Sequence, residues 1–76
     1  MKKYRIADIQ KLKQEEKSFV TLTAYDYPTA KIINKLNIPL ILVGDSASMV
    51  VYGYKDTTPI CMDEILLITR AVKRGI

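Results

Sequence analysis

The chain has 76 residues, of which 49% are apolar and 26% are charged, a composition typical of a small globular unit and not of a disordered tail. The net charge is +4, but the basic residues are scattered without interleaved aromatic residues, so nucleic-acid binding is not supported. The single cysteine excludes an internal disulfide and fits a reducing, cytosolic compartment, and the lack of histidine removes the commonest general base and zinc ligand.

No apolar run follows Met1, Lys2 and Lys3, so we expect neither a signal peptide nor a membrane span. The first predicted element is a short amphipathic helix over residues 6–16. It rests on apolar residues at three-residue spacing with charged residues between them. No strong N-cap precedes it, and we expect a frayed start. The spaced apolar residues are Ile6, Ile9 and Leu12.

Residues 19–25 are rich in β-branched and aromatic types and predict a strand. Asp26 then suits the N-cap of a helix over about residues 27–36, and Pro28 suits its first turn. We therefore assign Asp26 to capping rather than to catalysis.

This second helix is expected to pack through Ala30, Ile33 and Leu36 or their neighbours. Asn37 suits the left-handed position that ends a helix, and Pro39 prevents its continuation. The helix should therefore connect the first strand to a second one after residue 39.

Residues 40–43 form a continuous apolar run, which is typical of a parallel strand buried on both faces. Gly44, Asp45 and Ser46 close this strand, and residues 47–60 are predicted to be a loop with Gly53 and Pro59 in it.

The last helix is predicted to start near Cys61, whose pairing with Glu64 resembles a capping box. This makes Cys61 a cap rather than a nucleophile, since no histidine could activate it. Gly75 suits the left-handed C′ position after the helix. The predicted packing stripe is Met62, Ile65, Leu66, Thr69 and Val72.

The order of the elements is helix, strand, helix, strand, helix, which contains one βαβ unit and places the chain in the α/β class. Two parallel strands leave both sheet edges open, which is a poor solution for an independent fold. We therefore expect a truncated part of a larger domain, inactive alone and prone to aggregation.

Sites in parallel α/β proteins form at the carboxyl ends of the strands. Asp45 is the best candidate there, since its carboxylate suits Mg²⁺. An Asx turn made by Asp45 is an equally good interpretation. Ser46 could donate to a substrate carboxylate, and Tyr25 could bind a ligand or only pack. No glycine-rich phosphate-binding motif is present.

Taken together, several ordered stretches resemble the ketopantoate hydroxymethyltransferase family over nearly the whole chain. The stretches are Thr23-Ala24-Tyr25-Asp26-Tyr27, Leu42-Val43-Gly44-Asp45-Ser46, Met49-Val50-Val51, Gly53, Thr58-Pro59 and Arg70-Ala71-Val72 with Arg74-Gly75. Ala47 and Ser48 depart from the pattern, since many members have Leu and Gly at these positions.

The resemblance implies a (β/α)8 TIM barrel of the phosphoenolpyruvate/pyruvate type, with residues 1–76 as the N-terminal part of one barrel domain. It implies a cytoplasmic homo-oligomer of pantothenate biosynthesis. The implied reaction transfers a hydroxymethyl group from 5,10-methylenetetrahydrofolate to the 2-oxo acid 3-methyl-2-oxobutanoate, giving 2-dehydropantoate, with Mg²⁺ as cofactor.

The resemblance also implies roles for three residues. Asp45 matches a family Mg²⁺ ligand, Asp45 and Ser46 match the pair that contacts the 2-oxo acid, and Tyr25 lines the substrate pocket. The general base and the other metal ligands are expected beyond Ile76, so no catalytic base lies in this chain.

Two other functions fit the same residues. One is a related Mg²⁺-dependent 2-oxo acid barrel of the phosphoenolpyruvate mutase/isocitrate lyase type, which folate dependence would separate from the first. The other is a non-catalytic module completed by a partner chain, which would associate without binding Mg²⁺ or an oxo acid.

Overall fold

The computed structural model describes residues 3–76; Met1 and Lys2, which the expected barrel domain includes, lie outside the described residues. The elements are α1 (Ile6–Gln14), β1 (Thr21–Thr23), α2 (Tyr27–Lys35), β2 (Leu40–Leu42), α3 (Ala47–Val50) and α4 (Met62–Arg74). The predicted order is confirmed with one correction. The segment 47–60, predicted to be a loop throughout, begins with the single-turn helix α3.

The two strands pair in parallel, as predicted, with Leu22 opposite Ile41 and Thr23 opposite Leu42. One further ladder bond runs from the backbone N–H of Ala24 to the carbonyl of Leu42 at 3.1 Å. Both strands are shorter than the predicted segments 19–25 and 40–43. Ladder hydrogen bonds form only where the two strands are paired. The flanking residues have high β-propensity but no paired neighbour, so they are not strand.

Among residues 3–76, α2, α3 and α4 contribute to a core on one face of this sheet. Side chains alternate along a strand, which places Ala24, Ile41 and Val43 on the same face. This face packs on a small core of Ala24, Ala30, Ile33, Ala47, Ile68 and Val72. On the opposite face, Leu40 is 43% exposed and Leu42 is 55% exposed. The expectation that residues 40–43 are buried on both faces is therefore wrong for the described part of the chain.

The ends of α2 follow the sequence prediction. Asp26 is the N-cap, and its Oδ1 accepts a hydrogen bond of 2.8 Å from the backbone N–H of Thr29. Asn37 has φ of 56°, the left-handed conformation expected after the helix. Ala30 and Ile33 are buried, whereas Leu36 is exposed and takes no part in the packing.

The Asp26 cap predicts a pH dependence of stability. Hydrogen bonds from Thr29 lower the pKa of the Asp26 carboxyl below its ordinary value of 3.8. A group with a lowered folded-state pKa stabilises the fold above its unfolded pKa, and this contribution is lost as pH falls through the folded pKa. We expect Asp26→Ala, in the protein at its full natural length, to lower the free energy of unfolding by about 1 kcal/mol at neutral pH.

Asp26→Asn is the matched control, because asparagine caps helices but does not titrate. Urea unfolding at neutral pH and at several values below about pH 4 compares the variants with the unsubstituted protein. The difference between Asp26→Asn and the unsubstituted protein should shrink as the pH falls. A constant difference would remove the role assigned to the Asp26 charge.

The packing stripe of α4 differs from the prediction. Ile68 and Val72 are buried and Ile65 is half-buried, whereas Met62 is 70% exposed and Leu66 is 43% exposed. Residues 65–68 are all apolar, so the sequence pattern does not define which side faces the core. Contact with α2 selects the side that carries Ile68.

Gly75 ends α4 for a different reason from the one predicted. Its φ is −86°, which is right-handed and not the expected left-handed C′ conformation. Gly75 is buried, and an added β-carbon would lie 2.9 Å from the Cβ of Ala30 and 2.9 Å from the carbonyl oxygen of Tyr27. Glycine at this position therefore permits the close approach of α4 to α2.

The start of α4 has the predicted capping-box arrangement of Cys61 and Glu64. The backbone N–H of Cys61 donates to Oε1 of Glu64 at 3.0 Å, which is the stronger half of the arrangement because a thiol sulfur is a weak acceptor. Since a hydroxyl is a better acceptor than a thiol, we expect Cys61→Ser to raise the free energy of unfolding by a few tenths to about 1 kcal/mol. A thermal melt with no gain, or with a loss, would contradict this assignment.

Helix α1 contributes no buried residue. At its start, Oδ2 of Asp8 accepts a hydrogen bond of 2.8 Å from the backbone N–H of Arg5. The fraying expected at this end stays a prediction. The helix ends at Gln14, two residues before the predicted end, and Glu16 has φ of 56°. No helix within residues 3–76 is long and apolar enough to cross a membrane.

Candidate functional site

The carboxyl ends of β1 and β2 lie side by side because the strands are parallel neighbours. Tyr25 follows β1, and Asp45 and Ser46 follow β2. The hydroxyl groups of Tyr25 and Ser46 form a hydrogen bond across this edge. The structure thus places the three residues singled out from the sequence at the carboxyl ends of the strands and brings Tyr25 and Ser46 into direct contact.

A tight backbone turn presents Asp45 and leads into α3. The N–H of Ala47 donates to the carbonyl of Gly44 at 3.2 Å, and the N–H of Ser48 donates to the carbonyl of Asp45 at 2.9 Å. The N–H of Val50 then donates to the carbonyl of Ser46 at 3.1 Å. Because the backbone makes these bonds, the side chains of Asp45 and Ser46 are left for other partners.

The Asp45 carboxylate has no partner among the residues that the structure describes. Asp45 is exposed, and across residues 3–76 no hydrogen bond or ion pair reaches its side chain. The Asx turn considered as an alternative is therefore not formed, since the turn uses the backbone carbonyl. A carboxylate in this state fits Mg²⁺, which proteins commonly hold through one or two carboxylates with water and substrate oxygens.

Residues 3–76 contain no group of three His, Cys, Asp or Glu side chains placed to hold a metal ion. A cation at Asp45 would therefore need water, substrate oxygens or groups outside the described range to complete its ligands. Asp26 is engaged as the cap of α2, as predicted.

Ser46 occupies the N-cap position of α3, but its hydroxyl makes no cap hydrogen bond. Serine at this position usually accepts from a backbone N–H of the first turn. Here the Ser46 hydroxyl meets Tyr25, which lies 21 residues earlier and is half-buried against the core. The bond is therefore a tertiary contact between the ends of two strands.

Ser48 supports this site and was not predicted from the sequence. It is fully buried, and its hydroxyl donates to the backbone carbonyl of Asp56 at 2.7 Å. The N–H of Tyr54 donates to the Ser48 carbonyl at 2.9 Å. These bonds attach the segment after α3 to the helix that carries the site. Only the departure at Ser48 from the family pattern gave a sequence signal, and it did not indicate the partner.

Asp56 shapes the same segment. Its Oδ1 accepts hydrogen bonds from the hydroxyl of Thr58 at 2.6 Å and from the backbone N–H of Thr58 at 3.0 Å. These bonds lower the pKa of the Asp56 carboxyl below its ordinary value. Asp56 is thus committed to an Asx turn, while Asp45 in the preceding turn is not.

Helices on one face of a parallel sheet and polar side chains at its carboxyl edge define a parallel α/β protein with its candidate site at the strand ends. A family model described as ketopantoate hydroxymethyltransferase matches residues 3–76. The chain belongs to this family.

Curated relatives agree with this membership. A protein of Mycobacterium leprae is 49% identical over 73 residues, which is 96% of this chain and 26% of that relative. One of Magnetococcus marinus is 45% identical, covering 97% of this chain and 28% of the relative. One of Acetivibrio thermocellus is 47% identical, covering 97% and 26%. All three are named 3-methyl-2-oxobutanoate hydroxymethyltransferase, and the chain spans about a quarter of their length.

Proposed function

We propose that this chain supplies one corner of the active site of a 3-methyl-2-oxobutanoate hydroxymethyltransferase. The reaction would transfer a hydroxymethyl group from 5,10-methylenetetrahydrofolate to the 2-oxo acid and give 2-dehydropantoate. The observation that carries the proposal is the unpaired Asp45 carboxylate beside the Tyr25–Ser46 pair at the carboxyl edge. Family membership and the names of the relatives support it.

The fold that goes with this function is a (β/α)8 barrel of the phosphoenolpyruvate/pyruvate type, in which β1 and β2 are two of eight strands. The chain spans about a quarter of the length of its relatives, and two strands are a quarter of an eight-stranded barrel. The helices lie on one face, and Leu40 and Leu42 are exposed on the other, which would become the barrel interior.

A groove supports the same fold. It has a volume of about 580 Å³ and lies between β2 and α4. Its lining includes Leu40, Ile41, Thr69 and Val72. Mostly apolar side chains beside β2 provide a place for a further parallel strand, which would cover them and continue the sheet.

In the proposed site, Asp45 would hold Mg²⁺ through its carboxylate. The bound ion would supply Lewis-acid polarisation of the oxo group of the substrate. Ser46 donates its hydroxyl hydrogen to an anionic oxygen of the same substrate, which fixes the orientation of the oxo acid. The base that removes the C3 proton lies outside the described residues, so this chain binds and orients while another part of the protein moves the proton.

The proposal also covers the cellular compartment, the oligomeric state and the partners of the enzyme. It works in the cytoplasm as a homo-oligomer, with small-molecule partners and neither nucleic acid nor membrane. The support for this setting is the family resemblance, together with a free cysteine and scattered basic residues.

The test uses the protein purified at its full natural length, with its intact mass recorded first. It is supplied with Mg²⁺, 5,10-methylenetetrahydrofolate and 3-methyl-2-oxobutanoate, and 2-dehydropantoate is measured by mass spectrometry. Product that requires all three components supports the proposal. Turnover of the oxo acid without folate favours the related barrel enzymes, and absence of both turnover and oxo acid binding overturns the proposal.

A further inference from the structure

We propose that Tyr25 is a positioning residue that acts through Ser46 and does not itself contact the oxo acid. Its phenol would hold the Ser46 hydroxyl in the orientation from which Ser46 donates to the substrate. This inference rests on the proposed function and changes the role that the family resemblance implies for Tyr25, which was to line the substrate pocket.

The first argument is the state of Ser46. Its hydroxyl makes no cap bond to α3, although the residue stands at the N-cap. An uncapped serine hydroxyl can rotate freely among its rotamers, because nothing in its own turn holds it. The hydrogen bond with Tyr25 supplies the missing constraint from another strand.

The second argument is the rigidity of Tyr25. Its ring packs against the core cluster, and Ala24 before it is buried and hydrogen-bonded to Leu42 in the ladder. A tyrosine fixed by packing and by the sheet presents its hydroxyl at a defined place. Polar groups held in this way need little reorganisation when the substrate binds.

The third argument is the count of donors and acceptors. Each hydroxyl has one hydrogen and two lone pairs, and either can be the donor in the Tyr25–Ser46 bond. A phenol is the stronger acid, so donation from Tyr25 to Ser46 is the favoured direction. Ser46 then keeps its own hydrogen for an anionic oxygen, and the bond it accepts polarises it toward donation.

A double-mutant cycle tests the proposal in the protein at its full natural length with Mg²⁺ present. The variants are Tyr25→Phe, Ser46→Ala and the double substitution. The dissociation constant of 3-methyl-2-oxobutanoate is measured by calorimetry, and kcat and KM are measured by product formation. Tyr27→Phe is the matched control, since Tyr27 is exposed at the start of α2 and loses the same hydroxyl.

We expect Tyr25→Phe to raise the dissociation constant and KM about 2- to 12-fold with a much smaller change in kcat, the size of one lost neutral hydrogen bond. The double variant should bind no more weakly than Ser46→Ala, because Tyr25 has no route to the substrate once the serine hydroxyl is gone. Tyr27→Phe should leave all three constants unchanged.

Two results would overturn the positioning role while leaving the proposed function intact. One is oxo acid binding that is indifferent to Tyr25→Phe. The other is a further several-fold loss from Tyr25→Phe in the Ser46→Ala background, which would show that Tyr25 contacts the substrate. Failure of the unsubstituted protein to bind the oxo acid overturns the proposed function and the positioning role together.

Discussion

Asp45→Asn is expected to lower kcat/KM of the protein at its full natural length by about 10²- to 10⁴-fold, which corresponds to about 3–5 kcal/mol of transition-state stabilisation. The substitution keeps the shape of the side chain and removes the negative charge that Mg²⁺ prefers in a ligand. Loss of a residue that only supports a metal ligand commonly weakens metal binding or activity about 10- to 100-fold, so loss of the ligand itself should exceed that range.

The Mg²⁺ concentration for half-maximal activity should rise in parallel, and the melting temperature should stay close to that of the unsubstituted protein. Within residues 3–76 no hydrogen bond or ion pair uses the Asp45 carboxylate, so the substitution breaks no contact there. Asp63→Asn makes the same chemical change at an exposed residue in the first turn of α4 and serves as the control. Near-normal activity of Asp45→Asn would end the metal-ligand assignment.

Gly75→Ala is expected to lower the free energy of unfolding by about 1–3 kcal/mol, the usual range for overpacking a well-packed contact. The added methyl group would lie 2.9 Å from the carbonyl oxygen of Tyr27 and 3.0 Å from the backbone nitrogen of Lys31. Backbone atoms of α2 cannot rotate away as the end of a side chain can, so the two helices must separate.

Gly44→Ala is the matched control for the Gly75 substitution. A β-carbon at Gly44 would lie 3.8 Å from Cγ of Leu42, which is ordinary van der Waals contact. Urea unfolding of both variants and of the unsubstituted protein should separate Gly75→Ala from the other two. Equal midpoints for the two glycine variants would contradict the close packing of α4 on α2.

The features that the sequence predicted correctly depend on local chemistry. Asp26 caps α2 and Asn37 ends it because each needs only its own turn. The parallel pairing of β1 and β2 was predicted from an apolar run that follows a helix. A crossover helix returns the chain to the end of the sheet where the first strand began, so the second strand runs in the same direction.

The features that the sequence did not predict depend on contacts between distant segments. Packing against α2 determines which side of α4 is buried. Glycine is required at position 75 because a β-carbon there would clash with Tyr27 and Ala30. The Ser48–Asp56 bond and the Tyr25–Ser46 bond likewise join segments that no local pattern connects. The sequence therefore indicated which residues form the candidate site, but not which of them hold one another in place.

The unpartnered state of the Asp45 carboxylate separates two kinds of selection on this family. Within residues 3–76 no contact of the fold uses that side chain, because the turn is closed by backbone groups. A gene copy that loses the acidic residue would break no contact within residues 3–76, so selection for chemistry is the force we expect to remove it. Position 45 is therefore the place to look for descendants that keep the architecture and have given up the reaction.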